Sequence, residues 1–317
     1  MNTSPDPEIV QLIAADLGVD ASFVEKDWYA MRIIAALIAA NISGIRLVFS
    51  GGTSLSKGFG LIQRFSEDLD FKVVVPETSL NRRKCRNYRH QLVDAIRKSS
   101  SEWSLNDDEI EPGDEGRFFN CRIAYQQNFA PAIALRPHIR LEISFKPPVL
   151  PVEEKPLQSF IAQAMRQQPE VPAIACVSPI ETAADKLSAL TWRVLSRQPG
   201  NKEDDPTLIR HLHDLAALED SITAYEYFPN LVVKLLKEDE RRGRNLNLSV
   251  VPPVERLYRM LQCLEGDSVY ANEYERFVIG MSYAAEDKRP SFSQALSSAY
   301  DIVNRIESAK PESDSSV

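Results

Sequence analysis

The sequence predicts an α+β chain, with a mixed sheet and helices in the first half and mostly helices in the second. Three observations predict this. Short β-branched and aromatic runs closed by glycine or proline recur before residue 150. The segment KPPVLPVEEKP (146–156) places four prolines in eleven residues, which a helix interior or a central strand does not tolerate. Beyond it, apolar residues recur at helical spacing. The expected division is therefore 1–150 and 151–317. A chain of 317 residues, 44% hydrophobic and 26% charged, buries a core of either half without staples.

Each element has its own signal. Ala21 to Ala40 reads as an apolar-faced helix with Asp20 as N-cap. Arg46 to Ser50 (RLVFS) is a buried-strand pattern closed by Gly51-Gly52, and Leu69 to Val75 (LDFKVVV) is a second strand ended by Pro76. Asn81 to Ser99 is a basic helix. Phe118 to Gln126 and Ile139 to Phe145 are further strands, the latter alternating cleanly. Helical patterns then cover Leu157 to Gln168, residues 181–198, Pro206 to Asp220, Tyr225 to Arg241, Val254 to Leu264 and Ser291 to Ile306. The polar tail from about residue 308, SAKPESDSSV, reads as disordered.

Several classes are excluded. Four cysteines lie far apart with no C-x-x-C pair, which argues against a zinc ribbon or disulfide scaffold and fits a reducing cytoplasm. MNTSPDPEIVQ lacks the basic-then-apolar order of a signal peptide. Met31 to Ile42, the most apolar segment, is too short to span a bilayer, so no membrane role is expected. A net charge of −8 argues against a surface coated in positive charge, but phosphate binding depends on local clusters. One such cluster runs from Arg82 to Lys98, with Arg82, Arg83, Lys84, Arg86, Arg89, Arg97 and Lys98 against Asp94. It is either a solvated helix face or a track for an RNA backbone, with Tyr88 available to stack on a base.

Three motifs carry the chemistry. In FSGGTSLSKG (49–58) two glycines follow a strand and open a helix, a turn that lets backbone approach a phosphate. It is not a Walker A loop, because Lys57 follows Ser56 rather than glycine. In RFSEDLDF (64–71) Asp68 and Asp70 are two apart in a strand and leave one face, so a cation between them relieves their repulsion. Oxygen-only donors suit Mg²⁺. Alone, such a pair reads as a solvated strand end; the glycine-rich strand-to-helix turn just upstream changes that reading. In IRLEISF (139–145) Glu142 either completes a three-carboxylate cluster for two metal ions or pairs with Arg140 on its own strand. A Ser-His-Asp or Cys-His hydrolase finds no nucleophile elbow.

The order strand, Gly-Gly, helix, Asp-x-Asp strand, acidic strand resembles the DNA polymerase β-like nucleotidyltransferase superfamily. Within it, EKDW (25–28), FSGGTSLSKG, RFSEDLDF, LEIS (141–144), ETAADKLSAL (181–190) and HDLAAL (213–218) resemble the AbiEii/AbiGii (MenT-type) nucleotidyltransferase toxins. The resemblance implies that Asp68, Asp70 and Glu142 ligate Mg²⁺. Gly51, Gly52, Thr53 and Ser54 would cradle the nucleotide phosphates, with Lys57, Arg64, Ser66 and Arg193 in the nucleotide-binding group. Lys186 would contact the triphosphate, and Asp214 would be the fourth motif position. Lys186 and Arg193 share a helix face, which phosphate would neutralise, although a solvated amphipathic face reads the same way. Asp214 can equally pair with Arg210, and Glu25 and Asp27 can be ordinary first-turn acids.

The implied activity is Mg²⁺-dependent transfer of NMP from NTP to an RNA acceptor, the tRNA 3′ end above all. It would block translation as the toxin of a toxin–antitoxin pair, with a cognate antitoxin as partner. The competing readings are transfer to a protein side chain or a small hydroxylated molecule, and a non-enzymatic nucleotide- or metal-binding module. Residues 220–317 carry no recognised motif.

Overall fold

A strand that must bury both faces needs neighbours on both edges, and the RLVFS strand has them. The computed structural model describes residues 4–76, 80–198, 200–201, 204–242 and 247–309. Helices α1 (Pro7–Leu17) and α2 (Ala21–Ala39) pack together and precede β1 (Arg46–Ser50). Asp6 caps α1, with Pro7 in its first turn, and Asp20 caps α2 by accepting from the Ser22 N–H at 2.9 Å. A helical turn, α3 (Gly51–Thr53), then runs into a π-helical turn over Ser54–Gly58. Next come β2 (Asp68–Val74), the basic helix α4 (Arg82–Ser99) capped by Asn81, and strands β3 (Trp103–Ser104), β4 (Ile110–Gly113), β5 (Phe118–Tyr125) and β6 (Ile139–Ser144).

The proline-rich segment does not end this unit. Strand β7 (Glu153–Leu157) begins within it, and a short helix α5 (Phe160–Ala164) and β8 (Val171–Cys176) follow. The sheet order is β3-β5-β6-β2-β1-β8-β7, with β4 also on β5. β1 is antiparallel to β2 and parallel to β8, while β2 is parallel to β6. Pro156 is accommodated because β7 lies at the sheet edge, where the register also shifts between Lys155 and Leu157. Hence the helix expected over Leu157 to Gln168 is only the five residues of α5 flanked by strands. The chain divides at Ser178/Pro179 rather than at 150/151.

Alternation sets the two faces of the sheet. Leu69, Phe71 and Val73 of β2 and Ile139, Leu141 and Ile143 of β6 are buried on one side. Asp68 and Asp70 lie opposite Arg140 and Glu142 on the other, and Ser50 opposes Asp70 across β1. The dry face fixes the register, since a one-residue slip would expose every apolar residue.

The second unit is helical: α6 (Pro179–Ser196), α7 (Arg210–Ala217), α8 (Glu219–Ala224), α9 (Phe228–Glu238), α10 (Pro253–Gly266), α11 (Ser268–Met281) and α12 (Phe292–Ser308). Its loop after α6 is fastened by Arg197, which reaches Asp204 at 2.7 Å and Glu273 at 2.6 Å. A capping box at Ser291 starts α12. The expected disordered tail, beyond Ala309, lies outside the described residues. No helix among the described residues is long and apolar enough to cross a membrane.

Candidate active site

The glycine turn and the Asp-x-Asp strand meet. Gly51 has φ +73°, a left-handed conformation that suits glycine, and a Cβ there would run into the Asp70 carboxylate. A Cβ on Gly52 would fall 2.7 Å from Ser66 Oγ and 2.9 Å from Arg64 Nη2. Thr53 ties the turn to the strand by donating its hydroxyl to the Asp68 carbonyl at 2.6 Å. Gly51, Gly52, Thr53, Ser66, Asp68 and Asp70 are thus brought into one small region, and Ser54 is buried in the following turn.

Two cations expected beside the nucleotide are also engaged within the protein. Lys57 is 2.7 Å from Asp27, and its ammonium lies 3.4 Å from the centre of the Phe160 ring. Both partners are almost wholly buried; burial pushes the Asp27 carboxyl up and the Lys57 ammonium down, and the pairing opposes both shifts. Arg64 is 2% exposed and donates to the Phe65 carbonyl at 2.7 Å. These side chains brace the turn from within.

Reading the sequence missed what organises this region. Glu25, Lys26 and Asp27 point in three directions from the second turn of α2. Glu25 accepts from the Asn128 N–H at 2.8 Å and the Phe129 N–H at 3.3 Å. Lys26 donates to Glu67 at 2.6 Å and to the Arg136 carbonyl at 2.9 Å. Asp27 takes Lys57 and the Phe160 N–H, at 2.8 Å. Arg136 then reaches back to Asp68 at 2.7 Å. The available signal was three successive charges inside an otherwise apolar helix, a pattern that requires buried partners. Nothing local marked Arg136.

The donor set fits a hard divalent cation at two positions, since Asp68 and Asp70 leave one face of β2 beside the bare α-carbon of Gly51. The expected third carboxylate is not assembled with them. Glu142 is opposite Asp70 in register, but its side chain pairs with Arg140 at 3.0 Å. Among the described residues, no three His, Cys, Asp or Glu side chains form a group able to hold a metal.

In the second unit, Lys186 on α6 and Asp214 on α7 form a buried ion pair at 2.8 Å. Arg193 pairs with Asp205 at 3.3 Å. Each of these cations of α6 thus has a carboxylate partner within this unit, and the Asp214 pairing with Lys186 was not anticipated. His211 is buried beside them, with no hydrogen-bond partner for either ring nitrogen among the described residues. On α4, Arg82, Arg83 and Arg86 are exposed, and Lys84 and Arg89 are half-buried. Arg82 pairs with Glu115 at 3.1 Å. Tyr88 is half-buried, its ring 6.2 Å from that of Phe145.

Comparison with known proteins decides the family. Residues 32–298 match the model described as nucleotidyl transferase AbiEii toxin, type IV toxin–antitoxin system. The chain belongs to the AbiEii nucleotidyltransferase toxin family. Membership implies an NTP substrate and an antitoxin partner. Among solved structures it is similar to MenT4, a nucleotidyltransferase toxin from Mycobacterium tuberculosis H37Rv, with a TM-score of 0.53 and 20% identity. That match covers 91% of this chain and 98% of MenT4, and it supports the α+β fold with a mostly helical C-terminal region. A search of curated proteins gives no match.

Two predictions follow from the geometry of this AbiEii chain. Gly51→Ala places a Cβ against Asp70 at a left-handed φ. Urea unfolding should show a loss of at least ~1–2 kcal/mol, and nucleotide transfer should fall. Burial pushes His211 well below the usual imidazole range. The unfolded chain therefore binds a proton near pH 6.5 that the folded chain refuses. Stability should fall as pH drops below 6.5, by up to about 1.4 kcal/mol per pH unit, and His211→Gln should flatten that slope.

Proposed function

We propose that this AbiEii toxin uses Mg²⁺ to transfer a nucleoside monophosphate from NTP to the 3′ end of an RNA, with tRNA as the acceptor, and so blocks translation. The observation that carries this reading is the Asp70 carboxylate lying against the bare α-carbon of Gly51. There a phosphate on the glycine turn and a carboxylate-bound cation would be neighbours. Asp68 and Asp70 would hold the metal, which would lower the charge opposing attack on the triphosphate.

The chain's own residues then divide the work. Gly51 and Gly52 let the backbone approach the phosphates, and Thr53 fixes that backbone to β2 through the Asp68 carbonyl. Ser54 and Ser66 supply hydroxyls in the same region, while Lys57 and Arg64 support it from beneath. In the reaction the acceptor hydroxyl oxygen bonds to the α-phosphorus, the α–β phosphoanhydride bond breaks, and pyrophosphate leaves. In the second unit, Lys186 and Arg193 are each paired with a carboxylate, Asp214 and Asp205. The exposed arginines of α4 are assigned to the RNA backbone.

The test incubates purified protein with Mg²⁺, total tRNA and each α-³²P-labelled NTP in turn, beside EDTA and Asp68→Ala/Asp70→Ala controls. Label should appear on RNA and vanish in both controls. Label on protein alone would move the acceptor to a side chain. No label on tRNA or protein, with natively folded protein, would contradict the proposal.

A further inference from the structure

Arg136 presses a positive charge onto Asp68 in a way that the transfer reaction does not by itself require. Its Nη1 lies 2.7 Å from Asp68 Oδ1 and 3.4 Å from Glu67 Oε1. The backbone of the same residue is fastened at both ends. Its N–H donates to Glu67 Oε2 at 2.9 Å, and its carbonyl accepts from Lys26 Nζ at 2.9 Å. Lys26 completes the ring at 2.6 Å from Glu67 Oε2. The loop carrying Arg136 is also pinned upstream, where Ser22 Oγ accepts from the Ala132 N–H at 3.1 Å and Glu25 takes the amides of Asn128 and Phe129. The guanidinium is therefore placed by these five hydrogen bonds of its loop, not by a surface encounter.

Asp68 is 5% exposed, and a carboxylate so buried needs a counter-charge. Arg136 supplies one before any other cation arrives. A second cation approaching the same carboxylate is repelled by the first, so a bare divalent ion meets a site already part-neutralised. An ion that comes with a triphosphate brings negative charge with it, and the balance reverses.

We propose that Arg136 is a positioning residue that stands in for the metal. It keeps Asp68 paired and oriented, weakens capture of bare divalent cations, and makes metal entry depend on the nucleotide. This rests on the reading of Asp68 and Asp70 as the metal carboxylates and adds to it the order in which ligands enter.

The experiment is a Mn²⁺ titration followed by electron paramagnetic resonance. It compares wild type, Arg136→Gln and Arg136→Lys, each alone and with the α,β-methylene analogues of ATP, CTP, GTP and UTP in turn. In the wild type, one of the analogues should tighten Mn²⁺ binding at least ~10-fold. Arg136→Gln should bind bare Mn²⁺ ~10-fold tighter than wild type and lose most of that dependence, while Arg136→Lys, which keeps the charge, should stay near wild type. Circular dichroism checks that each variant is folded. If Arg136→Gln does not fold, the wild type decides: equal Mn²⁺ affinity with and without nucleotide overturns the proposal. Nucleotide-dependent Mn²⁺ binding in the wild type with no tightening in folded Arg136→Gln overturns the proposal alone. No Mn²⁺ binding under any condition removes the metal reading and this proposal with it.

Discussion

Three successive charged residues in the second turn of α2 govern how the first unit is put together. Consecutive helical residues point about 100° apart, so Glu25, Lys26 and Asp27 necessarily reach three different parts of the chain. Glu25 takes the amides of the 128–129 loop, Lys26 takes Glu67 and the Arg136 carbonyl, and Asp27 takes Lys57 and the Phe160 amide. Those contacts draw together the segment after β1, the segment before β2, the loop before β6 and the start of α5. Each buried charge depends on its partner, because removing one leaves the other stranded at a cost of about 3–5 kcal/mol. The glycine turn and the Asp-x-Asp strand, set side by side by the β1–β2 register, are braced by this arrangement.

The placement has a chemical consequence. Lys57 is held by Asp27 and Arg64 by the Phe65 carbonyl, and the region beside them offers small residues, hydroxyls and two aspartates. A surface of that kind suits phosphate oxygens and a hard cation better than a cluster of mobile lysines, because its groups are already fixed when the substrate arrives. The second unit shows a related economy of charge, with Lys186 against Asp214 and Arg197 against Asp204 and Glu273.

Much of the first unit was legible because its signals are local. RLVFS before two glycines, LDFKVVV before proline and the alternation of IRLEISF each specify a strand within a few residues, and β1, β2 and β6 match them to within one residue at each end. Period-two spacing and the strand-to-helix turn marked the two motifs separately, but the contact between Gly51 and Asp70 comes from the β1–β2 register. What failed was non-local. Val171–Cys176 joins the sheet beside β1 although it follows a proline-rich segment, and no nearby residue announces that pairing. Lys57 looked like a phosphate ligand because its partner, Asp27, lies thirty residues upstream on another helix. Glu142 had two readings, and Arg140 on the same strand face takes it. Arg136 sits in an irregular loop whose sequence has no period to read.

The claim that buried charge on α2 fixes the site is tested most directly by hydrogen exchange on Asp27→Asn, a substitution that keeps an acceptor for the Phe160 amide but removes the counter-charge of Lys57. The account predicts unfolding about 3–5 kcal/mol less costly than in the wild type, and faster exchange concentrated in Gly51–Gly58 and Phe160–Ala164, with α7 and α12 unchanged under native conditions. Unchanged stability and unchanged exchange across Gly51–Gly58 would contradict it.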